Sequence, residues 1–191
     1  MLRFARGLAL FISIMLASML SSQAEVKATY YSMDFGENFP HAFVHLTGTK
    51  EDGTEVNQYL GFTAKVISPA ILMASVRGKV VRREPKYLDV SEPRFSIIID
   101  EQQFAAIFET AEKWEKRRGR SYNLRKRNCV HFVADTIEAI GLDVNRKSKK
   151  WRKPKGFLRE AALMNSELVY DYDNPPTDLA VAEPETTNSS E

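Results

Sequence analysis

Residues Val26 to Met33 alternate around Tyr30 and Tyr31, the period-two pattern of a strand. After the polar stretch Asp34 to Pro40, the run His41-Ala42-Phe43-Val44-His45-Leu46-Thr47 predicts a second strand, and Glu55 to Ala64 its hairpin partner. Glu51-Asp52-Gly53 supplies the turn, because Gly53 tolerates the positive φ that a tight hairpin needs. If Gly53 closes a three-residue loop, Lys50 faces Thr54, His45 faces Tyr59 and His41 faces Thr63. A slip of one residue would turn every side chain to the other face. Pro69 to Met73 predicts a short helix with proline in its first turn. Val80–Val81, Tyr87–Val90 and Phe95–Ile99 read as further strands. Asp100-Glu101-Gln102-Gln103 has the spacing of a capping box and opens a helix to about Arg118, with Phe104, Ile107, Phe108, Ala111 and Trp114 on its apolar stripe. A further helix starts at Asn128 or Cys129, runs to Ile140 and stops at Gly141. A short helix is expected near Leu163. Strands come first and helices later, which predicts an α+β fold with a mostly antiparallel sheet and helices packed on it.

The chain ends differ from this middle. Arg3 and Arg6 precede the apolar stretch Leu8–Leu20, and Ser22-Gln23-Ala24 places small residues where a signal peptidase reads. This reads as a secretory signal over residues 1–24, with an apolar part too short for a comfortable membrane span; a retained N-terminal anchor is the other reading. The expectation is a periplasmic or secreted protein without a transmembrane segment after cleavage, its folded domain covering residues 25–170. From Asp171 to Glu191 the chain is rich in Asp, Glu, Pro, Thr, Ser and Asn and is expected to be a disordered acidic tail.

With 191 residues and a formal net charge of +2, the chain carries no global charge signal for nucleic acid, and none is expected as a partner. The cations are nevertheless clustered, from Arg117 to Arg127 and from Arg146 to Lys155. Such clusters are ordinarily solvated faces, and they also suit anionic wall polymers or lipid headgroups.

Cys129 is the only cysteine, so no internal disulfide can form. A free thiol in an oxidising compartment is either buried or used. Asn128 is a good N-cap, which puts Cys129 in the first turn of its helix. There the free N–H groups and the flanking arginines are expected to lower the thiol pKa and to offer a site for an oxyanion. A cysteine nucleophile needs a base, and the histidines are His41, His45 and His131. His131, two residues along the same helix, points away from Cys129. His45 lies about 13 Å beyond His41 along the strand. His41, at the strand start beside a loop, is the preferred base. Tyr59, Thr63, Asn128 and His131 are candidate supporting residues. Nothing in the sequence calls for a cofactor or a metal.

Asn128-Cys129-Val130-His131-Phe132-Val133 resembles the Asn-Cys-x-His-Phe-Val signature of the lecithin retinol acyltransferase-like proteins, in the circularly permuted branch of the NlpC-type, papain-like superfamily. Tyr122-Asn123-Leu124 resembles the Tyr-x-Leu element that precedes the cysteine in several members. The order His41 then Cys129 matches the permuted branch. The resemblance implies a permuted papain-like architecture and attack by Cys129 on an amide or ester carbonyl, with His41 as base and then acid, through an acyl-enzyme. It implies peptidoglycan peptide or lipid as substrate, wall peptide leading. The third polar residue usual in those families has no clear counterpart, since Thr63 lies across from His41 with Tyr59 further along the same face, and neither is a usual orienting group. The competing expectation is a noncatalytic envelope protein of the same fold that binds wall polymer, lipid or a protein partner through its basic surface.

Overall fold

The computed structural model describes residues 25–34, 39–86 and 88–175. The expected leader, 1–24, and residues 176–191 of the expected tail lie outside the described residues. The fold is α+β. Strands β1 (Glu25–Met33), β2 (His41–Thr49), β3 (Glu55–Ala64), β4 (Gly78–Val81), β5 (Glu92–Ile99) and β6 (Tyr170–Asp171) form one six-stranded sheet in the order β4-β3-β2-β1-β5-β6. Every pairing is antiparallel. The helices are α1 (Ala70–Met73), α2 (Glu101–Lys116), α3 (Cys129–Ala139) and α4 (Pro154–Met164).

Alternation along the strands decides which residues meet the helices. Val26, Ala28 and Tyr30 of β1, Ala42, Val44 and Leu46 of β2, and Leu60, Phe62 and Ala64 of β3 share a core with Ile107, Ala111 and Trp114 of α2 and Val130, Val133 and Ile137 of α3. Phe157, Leu158, Ala161 and Ala162 bring α4 into the same core. The intervening residues face the other side, where Tyr31 stacks on Phe43 and His45 on Tyr59.

The β2–β3 hairpin has the expected register. Lys50 N donates to Thr54 O and Gly53 N to Lys50 O, both at 2.9 Å, and Gly53 has φ +82°. His45 pairs with Tyr59, and the ladder runs to Phe43 opposite Gly61. Asp100 forms the expected capping box, accepting from Gln103 N at 2.7 Å while its own N donates to Gln103 Oε1 at 3.0 Å.

Three local expectations differ. Leu88–Val90 is a 3-10 turn, not part of a strand: Leu88 N bonds back to Pro85 O and Ser91 N to Leu88 O, so the segment satisfies itself without a neighbour. The helix expected near Leu163 is present but begins earlier: α4 occupies Pro154–Met164, with Pro154 at its start, where a missing N–H costs nothing. The domain also continues past residue 170. Buried Asp171 accepts from the backbone N of Asp173 and Asn174 and from the Asn174 side chain, while Arg94 and Arg159 pair with Asp173. These bonds fasten residues 170–174 along the outer strand.

Candidate functional site around Cys129

The chain reaches Cys129 through a tight turn. Asn123 Oδ1 accepts from Arg125 N and Lys126 N at 3.0 Å each, and Asn123 N donates to Arg127 O at 2.9 Å. Asn128 then caps α3: its Oδ1 accepts from Val130 N at 2.9 Å and His131 N at 3.2 Å. Its Nδ2 donates to Leu124 O and Trp151 O, both at 2.7 Å. One buried side chain thus closes the helix terminus and ties it to two loops. His131 belongs to this cap. Its Nδ1 lies 2.9 Å from Asn128 Oδ1, its ring stacks on Trp151 at 4.3 Å, and burial pushes its pKa down to about 4. Asn128 N donates to the same Nδ1 at 3.4 Å, which completes a capping box at the helix start. Asn128 and His131 thus brace the helix terminus that carries Cys129.

The Cys129 thiol is 4% exposed. Burial pushes its pKa up to about 11, against the opposing pull of the backbone N–H groups of Ala42, Val130 and Cys129. This corrects the expectation of a depressed pKa: the helix terminus acts in the expected direction, and desolvation of the thiolate outweighs it.

Cys129 and His41 border one cleft of about 340 Å³, a volume suited to a small ligand. Its apolar wall includes Met33, Phe39, Ile67, Ile71 and Leu124, and Thr63, Tyr122, Asn128 and Arg152 add polar groups. The two candidate reactive residues approach the cleft from different layers. The sulfur lies on the helix side of β2, by the Ala42 N–H. His41 shares the alternation of Phe43 and His45, and a Cβ built on Gly61 would lie 3.2 Å from its Nε2. Burial lowers the His41 pKa to about 4. The resting pair is therefore a neutral thiol and a neutral imidazole.

The other candidates divide. Thr63 borders the Cys129 cleft, whereas Tyr59 shares a smaller cleft with His41 on the opposite sheet face. Tyr59 also stacks on His45 at 3.9 Å, and His45 Nε2 lies 2.8 Å from Asn57 Oδ1. His45 is absent from the residues that border the Cys129 cleft. Tyr122 was given no role by the sequence. Burial raises its pKa, and the Cys129 charge adds to the shift, so its hydroxyl is close enough to feel a thiolate. The Tyr-x-Leu element was the signal that pointed to it.

The basic clusters are partly structural. The Arg127 guanidinium lies 3.7 Å above the Trp114 ring and donates to Ser121 O. Arg146 pairs with Asp135 and Glu138, Lys150 with Glu160, and Lys155 with Asp34 and Glu92. Among the described residues, no cluster of His, Cys, Asp and Glu is arranged to hold a metal ion, and no helix is long and apolar enough to cross a membrane.

No family model matches this sequence, and no curated protein or solved structure matches it.

Proposed function

We propose that the protein is an exported cysteine hydrolase or acyltransferase of permuted papain-like architecture, in which Cys129 attacks an amide or ester carbonyl. The observation that carries this reading is the shared cleft: a capped helix terminus presents Cys129, and the start of β2 presents His41, to one ligand-sized space. Because both groups rest neutral, the thiol proton leaves as attack occurs. His41 takes it as general base and returns it to the leaving group, and water or another acceptor resolves the acyl-enzyme. The Cys129 N–H, beside the sulfur at the helix terminus, is the candidate oxyanion donor. Cell-wall peptide is the leading substrate class, by the family resemblance alone.

An activated ester tests this. Mixing the protein with p-nitrophenyl acetate should give a burst of one equivalent and an acetyl adduct on Cys129 by mass spectrometry. Cys129→Ala removes the burst, and His41→Asn slows it by about 10²–10⁴. A burst unchanged in His41→Asn, or no adduct at all, would sink the catalytic reading.

One observation favours the second reading, a noncatalytic envelope protein that binds through its basic surface: the thiol is buried and strongly protonated at neutral pH. Under that reading, polymer binding survives Cys129→Ala and fails when Lys147, Lys149 and Lys153 are neutralised.

A further inference from the structure

The segment between β3 and β4 leaves the sheet and returns to it as a braced excursion. Lys65 N donates to Arg77 O at 2.7 Å across its base. Val76 and Tyr122 exchange two backbone bonds of 2.9 Å, and Asn123 Nδ2 donates to Ser75 Oγ at 3.0 Å. What this brace holds out is apolar. Val66 is 69% exposed, Ile67 63%, Leu72 57% and Met73 89%. Four large exposed apolar side chains on one excursion of about a dozen residues are the kind of feature that marks an interaction surface.

The surroundings of the patch are cationic to an extent that the net charge of +2 conceals. No Asp or Glu occurs in residues 56–83, 116–134 or 144–159, yet these segments hold 20 of the chain's 27 lysines and arginines. They also supply most of the Cys129 cleft. Arg125 shares a groove with Leu72 and Met73, and Arg77 and Arg120 share another with Ala70 and Ala74. Among the described residues no carboxylate lies within ion-pair distance of Arg77, Arg120, Arg125 or Arg152, whereas Arg146, Lys150 and Lys155 are all paired.

We propose that this excursion docks the protein onto an anionic lipid bilayer, with Ile67, Leu72 and Met73 entering the interface and Arg77, Arg120 and Arg125 meeting the headgroups. An apolar tip inside a basic collar is the combination that binds an anionic interface, through buried area plus attraction to lipid charge. A soluble anionic polymer would use the cations and leave the apolar tip wet. A folded protein partner would need a concavity to receive a projecting tip, whereas a bilayer yields around it. Docking stands on the excursion and its collar, so it goes beyond the catalytic reading and holds whether or not Cys129 reacts. Its consequence is geometric: Ile67 and Ile71 line the cleft, so the bilayer lies beside the cleft mouth.

The test places its reporter on the tip. The full chain carrying Met73→Trp is mixed with phosphatidylglycerol-containing vesicles whose acyl chains are brominated, and with brominated phosphatidylcholine vesicles. A reporter on the excursion keeps any contact made by Leu8–Leu20 out of the signal, and Leu72→Trp repeats the measurement one residue away. The expected result is quenching of the added tryptophan on the anionic vesicles alone, relieved by salt. Combined Arg77→Glu, Arg120→Glu and Arg125→Glu should raise the half-saturating lipid concentration at least tenfold. Cys129→Ala should dock as the parent does, which separates this proposal from the catalytic one. Quenching absent from both tryptophan variants overturns docking by the excursion, even if the protein sediments with vesicles. So does equal quenching on uncharged lipid, or unchanged binding after charge reversal.

Discussion

Two opposing influences act on the thiol of Cys129. The N–H groups of Ala42, Val130 and Cys129 favour the thiolate, and loss of water around a nearly buried sulfur disfavours it. Burial wins, with the pKa pushed from an ordinary 9.0 to about 11. At pH 7 the thiolate is then about a hundredfold scarcer than in an ordinary cysteine. Alkylation by iodoacetamide should accordingly be at least about tenfold slower in the folded protein than in urea, and its rate should climb with pH towards 11. Labelling at pH 6 as fast as that of a small thiol would show the sulfur to be activated at rest. The N-cap at Asn128 follows from its residue type and position. The state of the sulfur does not, because it depends on how completely β2 and the loops at Leu124 and Trp151 enclose it. The Tyr-x-Leu element points to Tyr122 but not to its place beside the sulfur, which depends on two backbone bonds to Val76, 46 positions away in sequence.

The caps and turns carried the most readable information. The hairpin register followed from Asp52-Gly53, since a tight turn fixes pairing and pairing fixes faces. The helix α4 was underread because Pro154 and Gly156 look like breakers, although a proline at the helix start disturbs nothing and the stripe of Phe157, Leu158, Ala161 and Ala162 is buried. Two substitutions test these devices. Asn128→Ala removes a cap, usually worth 0.5–2 kcal/mol, and strands the carbonyls of Leu124 and Trp151, so urea unfolding should show a loss of about 2–4 kcal/mol. Asn128→Asp keeps the cap acceptor but sets a buried carboxylate oxygen against the carbonyls of Leu124 and Trp151, so it should lose at least as much as Ala at neutral pH. Gly48 sits at φ +133° in β2, and a Cβ there would lie 1.9 Å from Glu25 O. Gly48→Ala must therefore displace the start of β1 or strain the backbone, and a loss of about 2 kcal/mol or more is expected in the same assay. A loss below about 0.5 kcal/mol would mean that β1 frays there without consequence.

Buried titratable groups on both sides of neutrality also set how the whole domain responds to pH. His41 and His131 are both held down near 4 from an ordinary 6.5, and Cys129 is held up near 11 from 9.0. Between pH 6.5 and 4 the unfolded chain binds protons at these histidines that the folded chain refuses. Stability therefore falls as the pH is lowered through that window. His41, being fully enclosed, contributes a slope of at most about 1.4 kcal/mol per pH unit. His131 is partly open to solvent and contributes less. Between pH 9 and 11 the unfolded thiol releases a proton that the folded thiol keeps, so stability falls again as the pH rises. The expected profile of urea midpoints is a plateau between about pH 6.5 and 9 with a decline on either side. The substitutions assign the limbs: His41→Gln should make the acid decline shallower, and Cys129→Ala the alkaline one between about pH 9 and 10 while leaving the acid limb intact. Above pH 10 the buried Tyr30 and Tyr122, whose pKa values burial raises from 10.0, keep a decline of their own. An acid limb unchanged in His41→Gln would mean that the imbalance lies elsewhere, for instance in the carboxylate of Glu92 beside Arg94. Its pKa is lowered by that pairing, so its contribution is present at neutral pH and disappears as the pH falls below the ordinary carboxylate range. That loss belongs below pH 4.5, so a titration resolved on either side of pH 4.5 separates the histidines from the carboxylate.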